Sequence, residues 1–202
     1  MVFIALLLSN LWGFSGEVSI DPRGYWVGDV FKEHVHDRVL ARELSLFFQE
    51  ERASNLVDFG CGLGDYIKTF RAYGIDAIGY DGNPDTFLLS GGIAFPLDLS
   101  QVVNLGKMFD WVLSLEVGEH IPEEYEDIFI GNLDKHCIQG IILSWAIKGQ
   151  GGFGHFNEKN NQYIKDKICS YGYVNDIEAE KHFRSVSQLK WFKNTIMVFR
   201  KK

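Results

Sequence analysis

From Asn55 onward, short β-rich runs alternate with stretches whose apolar residues recur at helical spacing, and few folds accommodate that alternation. "NLVDFG" leads into "YIKTFRAYG", a helix stopped at Gly74, and "DAIGYD" leads into "PDTFLLSGG", a short helix opened by Pro84. "IAFPLDLS" supplies a third strand with its exit turn. "FDWVLSLE" supplies a fourth, apolar enough to be covered on both faces. An acidic-fronted helix "PEEYEDIFIGNLDKH", a strand "IQGIILSWAI", a helix in "EKNNQYIKDKICSYG" and a last, long strand in "LKWFKNTIMVFRK" complete the series. Ahead of it, "FKEHVHDRVLARELSLFFQEE" sets Phe31, Val35, Val39, Leu40, Leu44 and Phe47 at helical spacing, which predicts an added amphipathic helix. The expectation is an α/β fold: a doubly wound, mostly parallel sheet with helices on both faces. With 202 residues, no repeat and no linker, residues 21–202 read as a single domain.

Composition narrows the partners. A formal net charge of −7 argues against a surface that neutralises phosphates, so nucleic acid is not an expected partner. Cys61, Cys137 and Cys169 form no C-x-x-C pair and no metal spacing; an odd count of thiols favours the cytoplasm. Residues 1–20 complicate that reading. "MVFIALLLSN" is too short to span a bilayer and resembles a signal-peptide core, yet no Lys or Arg precedes Arg23. A secretory or membrane-associated role for this segment therefore stands beside the cytoplasmic one.

The chemistry is written first in "VDFGCGLGD". Asp58 sits at the end of an apolar strand, and Gly60, Gly62 and Gly64 follow at alternate positions. A buried carboxylate and three glycines are costly unless a ligand needs the backbone close. A dinucleotide fingerprint requires glycine where Asp65 stands, and no G-K-[ST] follows for a P-loop. Asp65 is also a poor neighbour for a pyrophosphate at a helix N-terminus.

This stretch resembles the first motif of the class I S-adenosylmethionine-dependent methyltransferases, and the resemblance runs from about Tyr25 to the C-terminus. It implies a Rossmann-like sheet of seven strands, with S-adenosylmethionine as cofactor and S-adenosylhomocysteine as product. It further implies that Asp58, Gly60, Cys61, Gly62 and Gly64 surround the methionine part. By the same resemblance, Asp81 in "IGYDGNP" accepts the ribose hydroxyls, flanked by Gly82 and Asn83. Asp98 and Leu99 in "PLDLS" meet the adenine, and Glu116 in "LSLEVGEHIP" faces the cofactor. A sulfonium zwitterion, unlike a phosphate, welcomes these carboxylates.

The acceptor is written less plainly. No [DNS]-P-P-[YFW] motif follows the fourth strand, so planar amino groups are not the expected target. Glu116 and Glu119 are too few to make a metal site, and none is expected. His120 and His155 are the catalytic candidates, because imidazole titrates near neutrality. Tyr25, Trp26 and His34 are expected to cover the pocket in the resemblance, with Trp145 and Asn157 on the substrate rim. The glycine-rich loop around Gly149–Gly154 reads as a flexible cover that closes over the acceptor, and Trp191 reads as strand core. The leading expectation is methyl transfer to oxygen or nitrogen of a small or medium-sized acceptor. A protein or peptide acceptor, and a non-catalytic binding member of the fold, are the alternatives; the oligomeric state is not legible.

Overall fold

The computed structural model describes residues 18–28, 30 and 34–202. The expectation for residues 1–20 therefore lies almost wholly outside the described residues, among which no helix is long and apolar enough to cross a membrane. A small antiparallel hairpin, β1 (Ser19–Ile20) and β2 (Trp26–Val27), precedes helix α1 (Arg38–Glu50). The main sheet and its crossovers follow: β3 (Asn55–Phe59), α2 (Asp65–Ala72), β4 (Asp76–Asp81), α3 (Thr86–Leu89), β5 (Ala94–Pro96) and β6 (Phe109–Ser114). A 3₁₀ turn at Glu123–Tyr125 leads into α4 (Glu126–Lys135), β7 (Cys137–Leu143), α5 (Asn161–Ser170) and β8 (Tyr173–Asn175). Then come α6 (Ile177–Val186), α7 (Phe192–Thr195) and β9 (Met197–Lys201).

The sheet runs β5-β4-β3-β6-β7-β9-β8, with β9 antiparallel to both neighbours and the pairs from β5 to β7 all parallel. The two-residue strand period sorts adjacent side chains to opposite faces. Val57, Val112, Ile141 and Phe199 join one core with Phe129, Ile130 and Leu133 of α4 and Ile164 and Ile168 of α5. Their chain neighbours Leu56, Leu113, Ile142 and Val198 join the other, with Leu40, Leu44 and Phe48 of α1, Phe70 of α2 and Phe183 of α6. Helices thus cover both faces, as a nearly unbroken apolar run in β6 requires.

Several boundaries differ from the sequence reading. Helix α1 starts only after Asp37, whose side chain accepts from the Leu40 amide at 3.0 Å, so Val35 lies outside it and is exposed. Phe31 lies outside the described residues. Helix α5 begins at Asn161 rather than Glu158, because the Glu158 carboxylate is occupied with loop amides. The expected long C-terminal strand is a single helical turn, α7, followed by the five residues of β9; the Thr195 amide turns back to the Trp191 carbonyl. The sequence reading passed over β8 and α6 altogether. Their local signal is Asp176, which caps α6 by accepting from the Ala179 amide at 3.0 Å.

Candidate cofactor and acceptor site

A cavity of about 420 Å³ opens where the carboxyl ends of β3, β4 and β6 meet. The strand order reverses there, with β4 and β5 built to one side of β3 and β6 to the other, and a crevice forms between diverging loops. Its size lies in the range of small-molecule sites. After β3 the Gly60 and Cys61 amides both donate to the Tyr80 carbonyl, at 2.7 and 3.1 Å, which turns the loop sharply toward β4. Gly60 has φ of 83°, and a Cβ there would collide with the Val117 side chain. A Cβ on Gly62 would meet the His34 ring. The bare backbone of this loop is thus one wall of the cavity, which suits a ligand that approaches main chain closely.

Three acids stand around that wall. Asp58 is buried, and its burial, with the Asp81 carboxylate beside it, pushes its pKa up to about 8. Asp81 accepts from the Gly62 amide at 2.8 Å through one oxygen and from the Asn83 amide at 3.0 Å through the other. Asp98 accepts from the Ser100 amide and hydroxyl at 3.0 and 2.6 Å, and its second oxygen pairs with Arg23 at 2.7 Å. Arg23 also holds Asp21 at 2.9 Å, so the β1–β2 hairpin is strapped to the rim. Behind the strap Tyr25 lies against Gly82, and Trp26 stacks on His34 with centroids 5.6 Å apart. Burial, then the neighbouring Asp58 carboxyl, raises the Cys61 pKa well above its ordinary value, which favours the thiol over the thiolate.

At the other end, Glu116 adopts a left-handed φ of 53°, a strained conformation for a residue with a side chain. Its carboxylate accepts from Gln150 Nε2 at 2.8 Å and from the Thr195 hydroxyl at 3.1 Å. His120 and His155 line the cavity together, ring centroids 4.9 Å apart. His120 Nδ1 lies 3.1 Å from the Gly154 carbonyl, and His155 Nδ1 lies 3.2 Å from Glu158 Oε1. Burial, then the neighbouring His155, lower the His120 pKa to about 4. Glu119 is fully buried, and burial, then the Glu116 carboxylate, push its pKa upward.

Of the residues expected around the cofactor, those on all four strand ends border the cavity; Gly64 does not. It is the residue before α2, at φ of 73°, and packs on Ile93. Tyr25, Trp26 and His34 line the cavity as expected. Trp145 and Asn157 are corrections: both are buried outside it. Trp145 packs on Phe129, with its Nε1 donating to the Asn157 carbonyl at 2.6 Å, and the Asn157 amide donates to Glu126 at 2.9 Å. The glycine loop is also tied down rather than loose. Glu158 accepts from the Gly149 and Gly151 amides at 2.7 and 2.6 Å, and the Glu119 carbonyl accepts from Phe156 and Asn157 at 2.8 and 2.9 Å. Trp191, expected in strand core, lines the cavity, as do the unforeseen Gln150 and Phe153.

A family model described as a methyltransferase domain matches residues 31–131. Among curated proteins, the chain is 26% identical over 142 residues to the chloroplastic tocopherol O-methyltransferase of Arabidopsis thaliana. The match covers 62% of this chain, which spans only 40% of that relative's length. Among solved structures, the fold is similar to magnesium protoporphyrin IX methyltransferase from Synechocystis PCC 6803 with bound S-adenosylmethionine. The TM-score is 0.62 and the identity 17%, over 80% of this chain and 78% of that one. It is also similar to a sugar N-methyltransferase from Streptoalloteichus sp. (TM-score 0.65, 13% identity, 82% and 87% coverage). A domain match extending over half of the chain, on a sheet with this reversal and this glycine wall, makes the protein a member of the class I S-adenosylmethionine-dependent methyltransferases.

Proposed function

We propose that residues 21–202 form one catalytic domain that transfers a methyl group from S-adenosylmethionine to oxygen or nitrogen of a small or medium-sized acceptor. The observation that carries this reading is the single cavity wall shared by the open glycine loop and the strand-end acids Asp58, Asp81 and Asp98. The names of the relatives (a tocopherol, a porphyrin and a sugar methyltransferase) support a small acceptor. When bound, the cofactor supplies a methyl group activated by a sulfonium leaving group. Asp81 keeps one lone pair on each oxygen beyond its two backbone partners, which suits the two ribose hydroxyls. Asp58, at the glycine loop, offers its carboxylate to the amino group, and Gly60, Cys61 and Gly62 the backbone beside it. Gly82 and Asn83 flank the adenosine, with Asp98 and Leu99 at the adenine. Glu116 faces the cofactor from the end of the cavity shared with His120 and His155.

The acceptor end belongs to His120, His155 and the aromatic strap. A carbonyl oxygen only accepts, so His120 Nδ1 carries its hydrogen and Nε2 keeps a lone pair; Glu158 imposes the same tautomer on His155. Both imidazoles thus retain a ring nitrogen for an acceptor group. Tyr25, Trp26 and His34 exclude water from the transfer. Free Cys61, Cys137 and Cys169 support a reducing, cytoplasmic setting. Calorimetric titration with S-adenosylhomocysteine tests the reading directly. Saturable binding with a thermal shift is expected, and neither at millimolar ligand would overturn it. Transfer of labelled methyl to a panel of hydroxylated and amino acceptors then assigns the atom.

A further inference from the structure

Glu119 is fully buried, and neither of its carboxyl oxygens has a hydrogen-bond partner. Buried polar groups are satisfied almost without exception, so an orphaned acid facing other donors calls for a ligand. What it faces is specific. One ligand atom from each of Glu119, His120 and His155 lies within 4.8 Å of the other two. A small contraction would bring all three to bonding distance of one ion. Both imidazoles already show the arrangement of metal ligands, with Nδ1 given to a backbone carbonyl in His120 and to a carboxylate in His155.

The cluster is also built in advance. Glu119 and His120 follow β6, whereas His155 comes from the loop after β7, and the Phe156 and Asn157 amides bind the Glu119 carbonyl at 2.8 and 2.9 Å. Two imidazoles and one carboxylate form a mixed nitrogen–oxygen set that suits a first-row transition ion better than the all-oxygen preference of calcium or magnesium. Three protein ligands leave positions open, and both imidazoles border the cavity.

We propose that Glu119, His120 and His155 bind a divalent transition-metal ion at the acceptor end of the cavity, and that the acceptor is a hydroxylated compound whose oxygen completes the coordination. The ion site stands on this geometry alone; only the acceptor class rests on the methyltransferase reading. In this arrangement the two histidines act as ligands that hold the acceptor through the ion; the sequence expectation of no metal weighed only the carboxylates of Glu116 and Glu119, whereas the proposed site takes Glu119 with two imidazoles.

The test is titration of the chelator-stripped full chain with Co²⁺, followed by visible absorption and by Zn²⁺ competition. One equivalent with ligand-field bands is expected. His155→Ala and Glu119→Gln should each weaken Co²⁺ binding about tenfold or more, and binding of S-adenosylhomocysteine by each variant verifies that it is folded. If Glu119→Gln does not fold, His155→Ala decides by itself, because that side chain sits on a loop. No saturable Co²⁺ binding, or undiminished binding in His155→Ala, overturns the site. Co²⁺ bound without any binding of S-adenosylhomocysteine would refute the cofactor reading while leaving the ion site standing.

Discussion

A carboxyl group buried beside a second carboxylate keeps its proton, and Asp58 does so up to about pH 8, against an ordinary value of 3.8. Between those values the folded chain holds a proton that the unfolded chain has released, so the Asp58 contribution to ligand-free stability falls as pH rises from about 4 to about 8. Asp58→Asn should therefore raise the melting temperature of the ligand-free protein at pH 8, by about 2–4 °C for each kcal/mol recovered. The same variant should bind S-adenosylhomocysteine more weakly, a loss read by calorimetry. The proposed contact sets the cofactor's cationic amino group opposite Asp58, which would favour the ionised acid, so binding near pH 7 should release up to about one proton, and affinity should climb toward tenfold per pH unit below pH 8. Calorimetry in buffers of different ionisation enthalpy measures that release; a pH-independent affinity would refute the contact. Asp81→Ala removes the acceptor of the Gly62 and Asn83 amides together with the proposed ribose contact, and should weaken cofactor binding by about 2–4 kcal/mol.

At the scale of elements, the site depends on how each strand is left. The turn from β3 into α2 needs Gly60 in a left-handed conformation with Val117 pressed against it. Gly60→Ala should cost about 1–3 kcal/mol through backbone strain alone. It should also displace Val117 into the cavity, lowering both thermal stability and affinity for S-adenosylhomocysteine. The same element shows what is legible locally. A glycine loop after an apolar strand announces itself through residue types at fixed offsets. Helix α6 does not, because its half-buried face shows only Phe183 and Ala179 among charged residues. Likewise Trp191 and Phe192 are apolar enough for a strand, yet the paired length of β9 is set by its neighbours β7 and β8, so the preceding turn is free to coil.

Across the whole molecule, single side chains tie distant parts of the chain together. Asp37 is buried and caps α1, while its second oxygen accepts from the Gln188 and Leu189 amides at 2.6 and 3.0 Å. Asp37→Ala loses a helix cap and orphans amides at the other end of the chain. The expected cost is about 2–4 kcal/mol, or roughly 5–15 °C in melting temperature by scanning calorimetry. Arg200 makes a comparable tie, bidentate to Glu51 at 2.6 and 2.8 Å and to Asp176 at 2.6 Å. It is partly exposed, and solvent weakens such pairs, so Arg200→Ala should cost only about 1 kcal/mol.

The fold class, and the glycine wall and acids that border the cavity, were determined by the sequence itself, because hydrophobic period, glycine spacing and acids at strand ends are local signals. Asp58, Asp81 and Asp98 each stand within two residues of the carboxyl end of a strand, and any parallel sheet gathers such ends on one edge. The acceptor end was decided by tertiary structure. Trp145 and Asn157 lie in the segment after β7 that also supplies His155, yet burial turns the first two into the core against Phe129 and Glu126. Only the approach of that segment to the residues after β6 brings His155 to Glu119 and His120. Contacts between loops of different strands depend on packing over the whole sheet, and no pattern within one loop encodes them.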